Sequence, residues 1–184
     1  LPLRAPLGEA SAAELAIATS LGHLAAIRNG IRTNCGAPCI VQTVARPPET
    51  SFGNMDLAVP GTPRRIVDSL NRGIADSIAG TPDMLFDVAG LAETVGLAQW
   101  HDPTLWNMAK LPFASAYLPL YADNLCRLLA AARGLARRCL VLDLDNTLWG
   151  GVIGDDGLEG IKLGQGDPTG EAHLNVQQIG RAHV

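Results

Sequence analysis

The stretch "CLVLDLDNTLWGGVIGDDG", residues 139–157, decides how this chain is read. An apolar, strand-forming run ends in two carboxylates, Asp143 and Asp145, separated by one residue. Side chains alternate along a strand, so both would share a face if the extended backbone continued. The carboxyl end of a parallel strand is where open α/β sheets bind ligands. Two carboxylates converging there repel each other, and a divalent cation between them relieves the repulsion. Oxygen-only ligands suit Mg²⁺. A carboxylate can also attack phosphorus to give an aspartyl-phosphate while its neighbour handles the leaving group's proton. Taken alone, Asp-x-Asp equally fits a capped turn after a strand.

Upstream, helices and strands alternate. Ser11 and Glu14 have capping-box spacing, and Leu15, Leu21, Leu24 and Ile27 carry a helix expected to close at Gly30. "CIVQTV" (39–44) and "MLFDV" (84–88) read as buried strands, with 139–143 as a third. Between the first two lies a Pro- and Gly-rich loop, 45–61, longer than most connections and a hint of function. Thr62 and Pro63 open a helix with Ile66, Leu70, Ile74 and Ile78 at four-residue steps. An irregular stretch around "WHDPTLWNMAKLPFA" precedes a helix carrying Leu118, Tyr121, Leu125, Leu128 and Leu129 to Gly134. The alternation predicts an α/β fold, a parallel sheet with crossover helices. A domain boundary is expected within 134–138.

Composition narrows the function classes. Apolar residues make up 47% of the chain and charged ones 17%, so it reads as globular rather than disordered. Net charge −4 and a pI near 5.5 argue against a nucleic-acid-binding surface. Arg133, Arg137 and Arg138 read as compensation of a helix dipole. No uninterrupted apolar run approaches the roughly 20 residues of a membrane span, and no stretch resembles a signal peptide. The cysteines at 35, 39, 126 and 139 form no Cys-x-x-Cys pair; their usage fits a reducing cytoplasm. Cys126 and Cys139 read as small core residues, and a buried Cys139 thiol would be inert. His101 and Asp102 are adjacent and make a poor relay pair, so they read as loop-capping. Trp100, Trp106 and Phe113 read as core or interface residues.

"DLDNTLWGG" resembles the nucleophile motif of the haloacid-dehalogenase (HAD) superfamily, D-x-D-x-T. The longer block from "KLPFASAYLPLYADNL" through "GQGDPTGEAHL" is similar to FkbH-like proteins of subfamily IIIC. The resemblance covers about residues 40–178 and is most specific in the last third. It implies that Asp143 is the nucleophile and a Mg²⁺ ligand. Asp145 would be the general acid/base, binding the metal through its main-chain carbonyl. Thr147 would steady the loop, while Gly150 and Gly151 turn the backbone into a hairpin with its tip at Asp155-Asp156-Gly157.

The implied architecture is a parallel-sheet SGNH/flavodoxin-like part, 1–138, followed by the first strand and hairpin of a Rossmann-like HAD domain, 139–178. The implied activity is conversion of 1,3-bisphosphoglycerate, a phosphorylated three-carbon substrate, to a glyceryl unit on an acyl carrier protein for polyketide extender units. Two other readings keep the same motif: a HAD phosphatase of another small metabolite, and a non-catalytic carrier-binding module. The family's later Ser/Thr, Lys and acidic pair are not found after Thr147, so these residues read as part of a site. Asp167 and Pro168 open a further helix. The closing "IGRAHV", 179–184, matches the translated start of a common sequencing adapter and reads as a non-native tail.

Overall fold

Asp83 stands just before a strand, where a buried carboxylate needs partners, and it has three. Its Oδ1 accepts the Cys39 N–H at 2.8 Å, while Oδ2 accepts Arg28 Nε at 2.7 Å and an Arg32 guanidinium nitrogen at 3.0 Å. The computed structural model that shows this describes residues 4–135, 139 and 141–181, without the side chains of 179–181. The described residues divide into two compact units, residues 1–134 and 135–184.

In the first unit, helix α1 (Ala10–Cys35) leads to strand β1 (Ile40–Gln42), and helix α2 (Pro63–Ile78) leads to β2 (Met84–Phe86). The strands pair in parallel, with Val41 opposite Leu85. Alternation then sorts the side chains. Val41 and Leu85 meet Leu70, Ile74 and Ile78 of α2 and Leu21 and Leu24 of α1. On the other face, Ile40 and Phe86 meet Val88, Ala92 and Trp100. That face is covered by α3 (Val88–Val95), α4 (Leu97–Trp100) and α6 (Leu118–Ala132), with α5 (Pro103–Ala109) between α4 and α6 in the chain. Burial of a parallel pair on both faces is the α/β layering that the alternation predicts.

Several boundaries differ from the sequence reading. No side chain caps α1, so the Ser11–Glu14 box does not form; the helix starts at Ala10 behind Glu9. It also runs past Gly30 to Gly36, which closes it at φ 64°. The reason is electrostatic: Arg28 and Arg32, one turn apart, both reach Asp83. Their ion pairs outweigh the roughly 1 kcal/mol cost of a mid-helix glycine. Leu15 and Ile27 are exposed instead of packed. An 18-residue window within the 26-residue α1 reaches a mean hydropathy of 1.3, enough in length and composition to cross a membrane, although no uninterrupted apolar run suggested it. Here Leu21, Leu24 and Arg28 pack within the unit.

Thr62 caps α2 as expected, accepting the Arg65 N–H. Strand β2 ends at Phe86 because Asp87 caps α3, accepting the Gly90 N–H at 3.1 Å. The stretch read as irregular holds α5, whose cap is Asp102; its Oδ1 takes the Thr104 and Leu105 N–H groups. Cys126 is exposed on α6, not buried.

The second unit holds helices α7 (Ile153–Gly160) and α8 (Pro168–Arg181). The expected third strand at 139–143 is absent among the described residues, which exclude Leu140. A strand is held by hydrogen bonds to a neighbouring strand, and among the described residues 141–143 enter no strand pairing; Val141 is 88% exposed. Cys139 is exposed for the same reason, which removes the premise of a core thiol. Arg137, Arg138 and residues 182–184 of the expected tail lie outside the described residues, while α8 itself runs through 179–181.

The Asp83 cluster gives a pH signature. The Cys39 N–H, then the Arg28 hydrogen bond, hold its carboxyl below the ordinary 3.8, against the opposing effect of burial. A depressed folded-state pKa stabilises the fold above the unfolded value, and that contribution disappears as pH falls through the folded value. Asp83→Asn is therefore expected to lower stability in urea unfolding near pH 7, with the deficit shrinking below about pH 3.8. A deficit independent of pH would show that the carboxylate charge contributes nothing.

Candidate active-site loop

The motif loop is built by side-chain oxygens that cap backbone N–H groups. Asp145, half-buried, accepts Trp149 Nε1–H at 3.0 Å and the Ile153 N–H at 3.1 Å through Oδ1. These two bonds draw the loop 145–153 around one carboxylate. Asn146 adopts a left-handed φ of 54°, which a short polar side chain tolerates. Its Oδ1 accepts the Gly151 N–H at 2.9 Å, and its own N–H donates to the Gly151 carbonyl at 3.2 Å.

Gly150 and Gly151 are required by space and by backbone, respectively. A Cβ on Gly150 would stand 3.2 Å from His173 Nε2 and 3.3 Å from a Thr169 methyl, so these α8 side chains would have to give by a few tenths of an ångström. Gly151 has φ 99°, a conformation that side chains disfavour. Helix α8 closes over the loop. His173 and Gln177, four residues apart on one helical face, bond the consecutive carbonyls of Thr147 (3.0 Å) and Leu148 (2.8 Å). A carbonyl only accepts, so His173 Nδ1 carries the proton. Asp167 starts α8 as expected, its Oδ2 accepting the Gly170 N–H at 2.9 Å.

The expected hairpin is corrected in its body but keeps a paired base. Gly150 and Lys162 exchange two backbone hydrogen bonds, 3.0 and 2.7 Å, in an antiparallel bridge. Between them, Asp155-Asp156-Gly157 is not a hairpin tip but part of α7. Acidic residues in a first turn favour a helix, and Asp156 Oδ2 takes the Val152 N–H at 2.8 Å. Gly157, at φ 68° and ψ 178°, kinks it.

Asp145, Thr147, Gly150 and Gly151 thus form one loop. Thr147 contributes through its backbone, N–H to Leu144 and carbonyl to His173. Asp143 stands apart. It is exposed, its Oδ1 takes the N–H of the next residue at 2.8 Å, and among the described residues no hydrogen bond joins it to the other four. The shared strand face expected for Asp143 and Asp145 does not form, because the backbone turns at 144–149. Sequence reading missed Asn146, His173 and Gln177. The four-residue spacing of the last two on a helix was the available signal.

No family model and no curated protein matches the sequence. Among solved structures, the chain is similar to the N-terminal part of the protein BF1531 from Bacteroides fragilis, which contains a phosphatase domain and is complexed with Mg. The TM-score is 0.83 at 23% identity, over 95% of this chain and 46% of that one. The fold is shared. The chain spans about half the length of that structure.

Asp145→Ala removes the acceptor of two loop hydrogen bonds at a half-buried site, with an expected cost of about 1–2 kcal/mol. Amide hydrogen exchange should accelerate at Ile153 and at the Trp149 indole N–H. Asp143→Ala should leave both rates unchanged. Equal rates in both variants and the parent would refute this account of the loop.

Proposed function

We propose that the chain carries part of a Mg²⁺-dependent phosphoryl-transfer site of the HAD type, with Asp143 as nucleophile and Asp145 as general acid/base. The observation that carries the reading is the division of labour between the two carboxylates. Asp145 is held at one oxygen by the loop it organises, so its orientation is set. Asp143 is exposed and bonded through one oxygen to its neighbour's N–H. The likeness in fold to a structure containing a phosphatase domain complexed with Mg supports the same reading.

The donor set suits a hard cation: the Asp143 carboxylate and, by the resemblance, the Asp145 main-chain carbonyl. No cluster of three His, Cys, Asp or Glu side chains forms among the described residues. Two protein oxygens are nevertheless a workable partial set for Mg²⁺, which usually keeps several waters. When bound, the ion would offset negative charge on the transferring group. The chain's own residues do the rest. A carboxylate oxygen of Asp143 attacks phosphorus and forms an aspartyl-phosphate as the bond to the leaving oxygen breaks. Asp145 gives that oxygen a proton. It then takes one from the water that displaces the phosphoryl group and restores Asp143.

At the finer level we propose an FkbH-like enzyme, acting on 1,3-bisphosphoglycerate and delivering a glyceryl unit to an acyl carrier protein. Residues 1–138 would be its SGNH/flavodoxin-like part. The similarity of "DLDNTLWGGVIGDDG" and its flanks to those proteins supports this.

The test uses the enzyme in which this sequence stands with the rest of its catalytic domain. With 1,3-bisphosphoglycerate, Mg²⁺ and carrier, mass gain on the carrier is the expected result; phosphate release alone would indicate a plain phosphatase. Asp143→Asn should abolish phosphoenzyme and lower Mg²⁺ affinity. Asp145→Asn should leave phosphoenzyme that accumulates, with turnover reduced by about 100-fold or more. Equal, mild effects from both variants would reduce the motif to a structural turn.

A further inference from the structure

The first unit has a cleft that the phosphoryl-transfer reading leaves unused. It measures about 650 Å³, within the range of small-molecule sites. It opens where β1 ends, at Thr43, Val44 and Ala45, and takes in the start of the loop 45–61 at Pro47, Pro48 and Glu49. One wall holds the stacked rings of Phe113 and Tyr121 at 5.1 Å, with Trp100 stacked behind Phe113 at 4.8 Å, outside the lining. Trp100 is fully buried and Tyr121 also packs edge-on against Phe86 at 5.0 Å, so the wall is fixed by the core. Trp106, 52% exposed, contributes a further aromatic surface.

The polar groups at the cleft define what it would take. His101 Nε2 lies 2.7 Å from the Arg46 carbonyl, which can only accept. Nε2 therefore bears a proton, and in the Nε2–H tautomer Nδ1 is an acceptor. The Gln42 Oε1 is taken by the Tyr121 hydroxyl at 2.8 Å, leaving the Gln42 amide N–H groups as donors. The charged residues lining the cleft are Glu49 and Asp102, with no lysine or arginine among the described lining. An anion would leave water for a lining that carries two carboxylates; the Lys110 ammonium stands outside that lining, 5.3 Å from the Trp106 ring centroid.

Among the described residues no serine or cysteine lines the cleft, and the Thr43 hydroxyl is committed, donating to Asp87 at 2.8 Å and accepting the Ala89 N–H at 2.9 Å. The Tyr121 hydroxyl is likewise committed to Gln42, so no free hydroxyl or thiol stands beside a base in this lining.

We propose that this cleft binds, without reacting, an uncharged, largely apolar small molecule bearing an amide, seated against the aromatic wall between His101, Gln42 and Trp106. An amide supplies both a donor for the His101 acceptor and an acceptor for the Gln42 N–H groups. The inference is independent of the chemistry at Asp143.

The whole chain is titrated with N-hexylacetamide and, separately, with hexanoate, an anion of similar chain length, at neutral pH. Binding is followed by amide chemical shifts. N-hexylacetamide should bind saturably, with shifts centred on Thr43, Ala45 and Phe113, and hexanoate at least about fivefold more weakly. Trp106→Ala should weaken the amide by at least about threefold with an unchanged thermal midpoint, because Trp106 stands outside the buried core. A smaller discrimination against hexanoate, non-saturating shifts, shifts centred elsewhere, or an unaffected Trp106→Ala variant would each overturn the proposal.

Discussion

The first unit depends on satisfying one carboxylate removed from water. Asp83 has a side chain 1% exposed, and an ionised group so placed must be paired or it destabilises the fold. Its partners come from different parts of the chain: Arg28 and Arg32 from α1 and the Cys39 N–H from the residue before β1. Arg28 also bonds the Ser77 hydroxyl and carbonyl at the end of α2. One residue thus fixes the amino ends of both strands and the end of each helix on that face. The extension of α1 past Gly30 and the closeness of α1 to α2 follow from it. Leu21 reaches α2 at Gly73, where a Cβ would come within 2.5 Å of its methyl.

At the opposite ends of the strands the polar devices are smaller and leave space. Thr43 and Asp87 bond each other and cap α3, which satisfies the last N–H groups before the chain turns away. Asn71 binds both the N–H and the carbonyl of Val44 at 2.8 Å, doing for one residue what a neighbouring strand would do. His101 holds Arg46, whose guanidinium pairs with Asp68. Backbone needs are met by side chains from the flanks rather than by a third strand. The volume between them therefore remains a cleft. A parallel sheet opens at its carboxyl ends for the same reason in general: crossover chains must diverge there.

How much of this is legible in sequence depends on the range of the interaction. Residues that act locally show themselves. Thr62–Pro63, the four-residue steps from Ile66 to Ile78 and the cap at Asp167 are all intrahelical, and the helices start where those residues stand. Ser11–Glu14 has an equally good local pattern and fails, because α1 is placed by arginines about four and five turns further on. The apolar run at 139–143 looks like a strand by composition, yet a strand is a relation between two segments, and among the described residues 141–143 enter no strand pairing. In the loop, Asp143, Asp145, Gly150 and Gly151 stand out by motif. Asn146, His173 and Gln177, which hold it, do so through backbone carbonyls and N–H groups that no motif records.

The loop therefore separates the residues that brace the turn from Asp143, which does not. Asp145, Asn146 and Asp156 each spend a side-chain oxygen on backbone N–H groups within a few residues, and α8 ties down the two carbonyls that follow. Such bonds are worth about 1 kcal/mol each and together give a turn that no single one could hold. Asp143 takes part in none of this beyond the N–H of its own neighbour. A carboxylate kept at the edge of a loop so fully braced without it contributes little to the fold. A residue that neither packs nor braces is free to answer to a substrate. The physical case for Asp143 as the reacting group is therefore this contrast with Asp145, which orients and is oriented by the turn, rather than the bare spacing of two acids.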